Sequence, residues 1–273
     1  MKHSLVFLAL VAFASCRQSP PFPRAPDGHP DLNGVWQALN TANFDLEPHG
    51  ARAALALRAG PAGPVPAKEV LALGAVGAVP AGVGVVEGGV IPYKPAARAR
   101  RDENRAHWLE RDPEIKCFLP GVPRATYMNF PFQIFQSESA LLIAYEYAGA
   151  TRNFLFRDPG PPPAPTWMGQ SVAHWEDDTL VVKVTGQTDG TWLDRSGNFH
   201  SAGLLVTERY TPTSAQTLRY EAELEDPEVF ERPWRISMTL YRRVGADAQL
   251  LQFKCPEFVE ELLYGKFRKK PLP

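Results

Sequence analysis

The chain of 273 residues is long enough to bury a sizeable core, and its 44% hydrophobic and 22% charged residues are ordinary for a globular protein. Its 29 basic and 30 acidic side chains give a formal net charge of −1. This near-neutral balance excludes the electrostatic footprint of a nucleic-acid-binding protein, so no nucleic acid is expected among the partners.

The first 15 residues have the pattern of a secretory signal peptide. Lys2 precedes an apolar run over residues 5–13, which is too short to span a bilayer. The run ends in small residues and Cys16, a pattern that resembles the lipobox of bacterial lipoproteins, in which the cysteine is lipidated. The alternative is soluble secretion after cleavage at residues 12–14. The sequence therefore predicts an exported protein, either lipid-anchored at the periplasmic face of a membrane or soluble.

A proline-rich tether over residues 16–30 precedes an N-terminal extension over residues 31–115. Composition predicts short helices at residues 51–59, which end before a Gly-Pro pair, and at residues 96–110, which are polar and arginine-rich. Residues 70–86 are uncharged, but glycines and a proline interrupt them. We therefore expect a surface loop there rather than a membrane span.

From Phe130 onward the hydrophobic residues recur with a period of two, which is typical of half-buried strands. The alternating runs lie at residues 130–134, 141–147, 152–156, 180–185, 204–210, 218–224, 234–241 and 250–255. Short strands at regular spacing, without helices between them, predict an all-β fold, an antiparallel meander barrel formed by residues 116–273. A short C-terminal helix is expected to begin at Pro256.

The chain has three cysteines, and Cys117 and Cys255 remain if Cys16 carries lipid. In an oxidising compartment these two can form a disulfide bond. Such a bond would close a long loop and contribute roughly 4–5 kcal/mol in the chain-entropy model. The alternative is two unpaired, buried thiols.

Glu208 is the most unusual polar residue of the predicted strands. Its strand face is otherwise apolar, with Leu204, Val206 and Tyr210. A carboxylate on such an inward face must be paired, or must favour its neutral form. Arg152, on another apolar face, is a natural partner. Glu208 is thus either half of a structural ion pair or a ligand-binding or acid/base group.

The loop before this strand carries Trp192, Asp194, Phe199 and His200. It is either a turn pinned by polar side chains and covered by aromatic ones, or part of a site at the barrel rim. His174, Asp194, His200 and Glu208 are residue types that a metal centre uses, but they lack the spacing of a known metal motif, so no metal is predicted. A near-match to G-x-S-x-G surrounds Ser171, but a strand follows where that motif needs a helix, so a catalytic serine is not predicted.

Motifs along the chain suggest a family. They are GGVIPY (residues 88–93), KCFLPGVPR (116–124), YEY (145–147), WEDDTLVV (175–182), TWLD (191–194), and HS with ER (200–201 and 208–209). Together they resemble a large family of uncharacterised bacterial secreted or lipid-anchored proteins. The resemblance implies a lipocalin-like β-barrel and no established reaction. Asp177 departs from it where the family has glycine, and Gln170 where aspartate is common.

The sequence leaves three functions open. The first is an exported barrel that binds an apolar small molecule in a mouth lined by aromatic residues: Tyr145, Trp167, Trp192, Phe199 and Tyr210. The second is a lyase, isomerase or hydrolase without a cofactor. In it, Glu208 or His200 acts as acid or base, Arg152 stabilises developing negative charge, and Asp194 is a further candidate. The third is a structural envelope lipoprotein.

The predicted disulfide bond has a direct test. Mass mapping of the exported protein under non-reducing conditions should find a linked peptide pair that contains Cys117 and Cys255. Recovery of both cysteines as free thiols would contradict the prediction.

Overall fold

A computed structural model describes residues 22–54, 57–67 and 78–253. The predicted signal peptide, Cys16, Cys255 and the predicted C-terminal helix lie outside these residues, so the predictions made for them remain open. None of the helices in the described ranges is long and apolar enough to cross a membrane.

The architecture is a closed barrel of nine strands, as predicted for an all-β fold. The strands are β1 (Gly34–Ala38), β4 (Phe132–Gln136), β5 (Leu141–Tyr145), β6 (Thr151–Leu155), β7 (Gln170–Glu176), β8 (Thr179–Thr185), β9 (Leu205–Ser214), β10 (Thr217–Glu225) and β11 (Trp234–Arg242). Two further short strands, β2 (Leu57–Arg58) and β3 (Val65–Pro66), pair with each other. Closure leaves the barrel without an exposed sheet edge.

Neighbouring strands from β4 to β11 follow chain order, and all of these pairs are antiparallel except one. The exception is β6 and β7, which run parallel and pair only through Phe154 with Ser171 and Leu155 with Val172. A parallel pair needs a crossover connection. Residues 156–169 provide it, and five prolines within them keep that segment from forming a further strand.

Strand β1 closes the barrel, since it pairs with β4 on one side and β11 on the other. The strand predicted at residues 250–255 is therefore wrong over its described part, residues 250–253. The physical reason is that β10 and β1 already occupy both edges of β11, so no hydrogen-bonding edge remains for a later strand.

The α-helices of the described residues lie between β1 and β4 in the chain. They are α1 (Pro95–Ala106), α2 (Trp108–Arg111) and α3 (Arg124–Tyr127), and a short 3-10 helix, Tyr147–Gly149, connects β5 and β6. Helix α1 confirms most of the helix predicted at residues 96–110, and it begins with a proline at its first position, where no backbone N–H is needed. The helix predicted at residues 51–59 is wrong, because β2 occupies its end. So short a segment cannot sustain a helix without packing, and the turn after it favours a hairpin.

The β7–β8 hairpin turns at Asp177, which has a φ of 51°. Aspartate tolerates this left-handed conformation, so the predicted turn forms without a glycine. The N-terminal segment packs against the same hairpin. Arg24 donates to both oxygens of Asp178 at 2.7 and 3.0 Å, and His29 stacks on Trp175 with ring centroids 4.6 Å apart.

The inward-facing residues of the strands fill the middle of the barrel. Each of the following is at most 1% exposed: Phe132, Ile134, Ile143, Val182, Val184, Val206, Tyr210, Tyr220, Ala222, Leu224, Ile236 and Leu240. Close packing of this kind leaves side chains, rather than solvent, around the centre of the barrel.

Substitution of Gly169, just before β7, tests how closely the backbone at the start of this strand packs against its neighbours. Its φ is +65°, and an added Cβ would lie 2.7 Å from the carbonyl oxygen of Thr185. We expect Gly169→Ala to lower the free energy of unfolding by about 2–4 kcal/mol, from the left-handed backbone and the overpacking together.

Gly160 is the matched control, because its φ is +88° but nothing lies within 4 Å of an added Cβ. Gly160→Ala should cost only the backbone part, about 1–2 kcal/mol. Equal losses for the two variants in chemical denaturation would contradict the close contact at Gly169.

Candidate functional site

A buried ion pair lies at the centre of the barrel. Arg152 on β6 reaches Glu208 on β9 through two bonds, Nη2 to Oε2 at 2.5 Å and Nη1 to Oε1 at 3.3 Å. The two side chains are 1% and 0% exposed. The predicted pairing of Glu208 with Arg152 is confirmed. Its bidentate geometry gives the strongest hydrogen bonding that a guanidinium and a carboxylate can form.

Three tyrosines complete the surroundings of this pair. Tyr210 and Tyr220 donate to Oε1 of Glu208 at 3.0 and 2.8 Å, and the hydroxyl of Tyr145 accepts from Arg152 at 3.1 Å. Burial raises the pKa of each tyrosine, and the neighbouring carboxylate raises it further, so all three stay protonated. Glu208 thus accepts from four donor groups in all.

Ser171 on β7 accepts the remaining N–H groups of Arg152. Nε and Nη2 of the guanidinium lie 3.2 and 2.9 Å from its Oγ. All five N–H groups of a guanidinium are then used. Because Oγ of Ser171 accepts two charge-assisted hydrogen bonds, it is a poor nucleophile, and its own proton is free to be donated.

A pocket of about 460 Å³ opens at the junction of β6 and β7, and we call it the seam pocket. Arg152 and Ser171 are among the residues that line it. Apolar side chains form much of the rest of the lining: Leu155, Pro162, Pro163, Ala164 and Met168. The pocket exists because β6 and β7 pair over so few residues, so the chain before β7 diverges from the start of β6.

His200 lies in the loop before β9 rather than beside Glu208. Its Nε2 is 2.6 Å from the hydroxyl of Thr191 and its Nδ1 is 2.8 Å from the carbonyl oxygen of Ser201. Burial lowers its pKa, which favours the neutral ring, with Nδ1–H as donor to the carbonyl and Nε2 as acceptor. Both ring nitrogens are therefore occupied, and His200 shares no hydrogen-bond partner with Glu208.

Asp194 pins the same loop to the N-terminal extension. It accepts from the backbone N–H groups of Leu46 and Ser196, both at 2.8 Å, and from the side chain of Asn198 at 2.6 Å. Burial and the neighbouring carboxylate of Asp45 raise its pKa to about 7. These contacts match the interpretation of the loop as a turn held by polar side chains.

The five aromatic residues expected at a barrel mouth lie in three places. Tyr145 and Tyr210 belong to the buried cluster around Arg152. Trp192 and Phe199 are paired by a β-bridge within the loop, and both are buried. Trp167 packs against Phe118, with ring centroids 5.2 Å apart.

No family model matches the chain, and no curated protein or solved structure matches it.

A second charged cluster was not found from the sequence. Arg124 on α3 contacts Asp112 and Glu114, and Arg195 contacts the same glutamate through two bonds of 2.6 and 2.7 Å. Burial by itself would raise the pKa of Glu114, but the two arginines outweigh it and lower the pKa to about 2. The cluster joins the extension to the barrel. In the part of the chain that the structure describes, no three His, Cys, Asp or Glu side chains are arranged to hold a metal ion.

Two residues that complete the candidate site were also missed. Tyr220 had a usable signal, since it shares the inward face of β10 with Leu218 and Ala222. Ser171 had none, because its contact with Arg152 depends on the parallel pairing of β6 and β7.

Removal of the negative charge from the buried Glu208 should lower the stability of the protein strongly. Glu208→Gln keeps the side-chain shape but leaves the Arg152 guanidinium buried without a counter-charge, so we expect the free energy of unfolding to fall by about 3–5 kcal/mol. Chemical denaturation monitored by circular dichroism measures it.

Glu223→Gln is the matched control, because Glu223 pairs with Arg235 at 2.7 Å but the two side chains are 38% and 57% exposed. Loss of this exposed pair should change stability by no more than about 1 kcal/mol. A Glu208→Gln variant as stable as the control would contradict the assigned role of Glu208.

Proposed function

We propose that this protein is an exported β-barrel protein, anchored to a membrane through Cys16, that binds a small molecule in the seam pocket. The observation that carries the binding proposal is the pocket itself, in which a largely apolar lining includes two polar groups of the buried cluster, Arg152 and Ser171. Small-molecule sites commonly combine apolar walls with a few placed polar groups, in volumes of about 300–1,000 Å³.

The surrounding structure favours the seam pocket over the centre of the barrel. The residues around Glu208 are fully buried, so a ligand there would have to displace packed side chains. At the seam, in contrast, Arg152 and Ser171 are already held in place by the cluster behind them. A site positioned in advance in this way loses little free energy to reorganisation when a ligand binds.

The acid/base alternative gains no support from the contacts. Glu208 is enclosed by donors, and both nitrogens of His200 are used within its own loop. A general base must lie within hydrogen-bond reach of the proton that it removes. Neither residue presents a free atom of this kind.

The proposed location is supported by the sequence alone. An apolar run with a preceding lysine and no early acidic residue is typical of a signal peptide, and Cys16 follows small residues. The same oxidising compartment supports the proposed bond between Cys117 and Cys255. A membrane is then a partner through the lipid anchor.

The binding proposal can be tested by filling the pocket. Native mass spectrometry of the purified mature protein should detect a co-purifying small molecule in the wild type. Ala164→Trp should abolish it, because Ala164 is an exposed lining residue whose enlargement would fill the pocket without disturbing the core.

Ala140→Trp is the matched control, since Ala140 is an exposed residue that lines an adjacent surface pocket, which shares Asn153 and Leu155 with the seam pocket, but does not itself line the seam pocket. It should retain the bound molecule. The proposal fails if Ala164→Trp also retains it. It fails as well if the wild type carries no ligand and shows no thermal shift with any member of a metabolite library.

A further inference from the structure

We propose that the ligand of the seam pocket is an uncharged, largely apolar molecule with a carbonyl oxygen, which accepts a hydrogen bond from the hydroxyl of Ser171. This inference rests on the proposed function and names the chemical class of its ligand. Three features of the pocket lead to it: a free donor, the lack of a spare charge and the nature of the walls.

The free donor is the hydroxyl proton of Ser171. A serine hydroxyl has one proton to donate and two lone pairs that accept. Both lone pairs face N–H groups of Arg152, at 3.2 and 2.9 Å. Among residues 22–54, 57–67 and 78–253, no group accepts a hydrogen bond from this hydroxyl. The pocket therefore presents a donor polarised by a cation, and its natural partner is an acceptor oxygen.

The pocket offers no uncompensated charge. Arg152 is the one charged residue in the part of the lining that the structure describes, and Glu208 neutralises it through two bonds. All of its N–H groups are occupied, so a carboxylate or phosphate would find no free guanidinium edge. The described lining offers an anion neutral donors, the side chains of Ser171, Thr151, Asn153 and Thr166, but no free cationic group, so the loss of its hydration there costs several kcal/mol. A neutral oxygen avoids this cost.

The walls suit an apolar body. Pro162 and Pro163 present rigid rings, and Met168 presents a flexible thioether that adapts to irregular shapes. The side-chain amide of Gln170, which also lines the pocket, already donates to the carbonyl oxygen of Gly160 at 2.8 Å. These apolar walls favour a ligand with an apolar body, such as a ketone or an ester of a medium-length chain, while the remaining polar lining residues, Thr151, Asn153 and Thr166, are exposed to solvent.

The proposed ligand class can be tested with two probes of equal chain length, a neutral ketone and a carboxylate. We expect 2-octanone to bind the purified mature protein at least tenfold more tightly than octanoate at pH 7.5, measured by ligand-observed NMR titration. Ser171→Ala should weaken binding of 2-octanone about fivefold to tenfold, which is the loss of one hydrogen bond, and should leave octanoate unchanged. Ser139→Ala, at an exposed residue of the other surface pocket, should change neither.

A second measurement reports the hydrogen bond itself rather than the affinity. The ¹³C resonance of carbonyl-labelled 2-octanone should lie further downfield when the ketone is bound to the wild type than when it is bound to Ser171→Ala, because a hydrogen bond polarises the carbonyl. Ser171→Thr keeps the hydroxyl and should give the wild-type resonance.

The outcomes separate the two proposals. If 2-octanone binds and Ala164→Trp does not block it, the seam pocket is not the binding site and both proposals fall. If neither probe binds, or if octanoate binds as tightly as 2-octanone, the ligand class is wrong, and native mass spectrometry of the wild type and Ala164→Trp decides the binding proposal separately. Equal carbonyl resonances for the ketone bound to the wild type and to Ser171→Ala would likewise overturn the assigned role of Ser171.

Discussion

An ion pair inside a β-barrel is stable only when every N–H and every oxygen of the pair has a partner, since an unpaired buried charge costs several kcal/mol. Arg152 and Glu208 meet this condition through Ser171 and three tyrosines. These residues come from β5, β6, β7, β9 and β10. The pair therefore fixes the relative positions of five strands, and a shift of any one of them would leave a polar atom without a partner.

The same pair decides the chemistry of the seam pocket. Because Glu208 cancels the charge of Arg152, the guanidinium acts on the pocket only through Ser171, whose hydroxyl it orients and polarises. A buried arginine in a pocket would ordinarily suggest an anionic ligand. Here the complete use of its donors points to a neutral ligand instead. Stability and proposed binding thus depend on one set of contacts.

The sequence contained enough to find the centre of the site but not its opening. Period-two alternation placed Glu208 and Arg152 on inward faces, and burial then required them to meet. Ser171 and the seam depend on a parallel strand pair, which a pattern of alternating residues cannot distinguish from an antiparallel one. The same limit explains the strand wrongly expected at residues 250–253, the described part of the predicted run. Alternation shows that a strand can form, but not which edge is free to receive it.

Strand β1 lies near the start of the chain, yet one of its two neighbours in the barrel is β11, the last strand of the described residues. Arg242 at the end of β11 donates to the carbonyl oxygen of Asn33, 209 positions earlier. Contacts between such distant residues form slowly, because the intervening chain must first be brought together. The barrel cannot close until nearly all of the polypeptide is present. For a chain that is exported as proposed above, the barrel can close outside the cytoplasm only after residues as far as Arg242 have crossed the membrane.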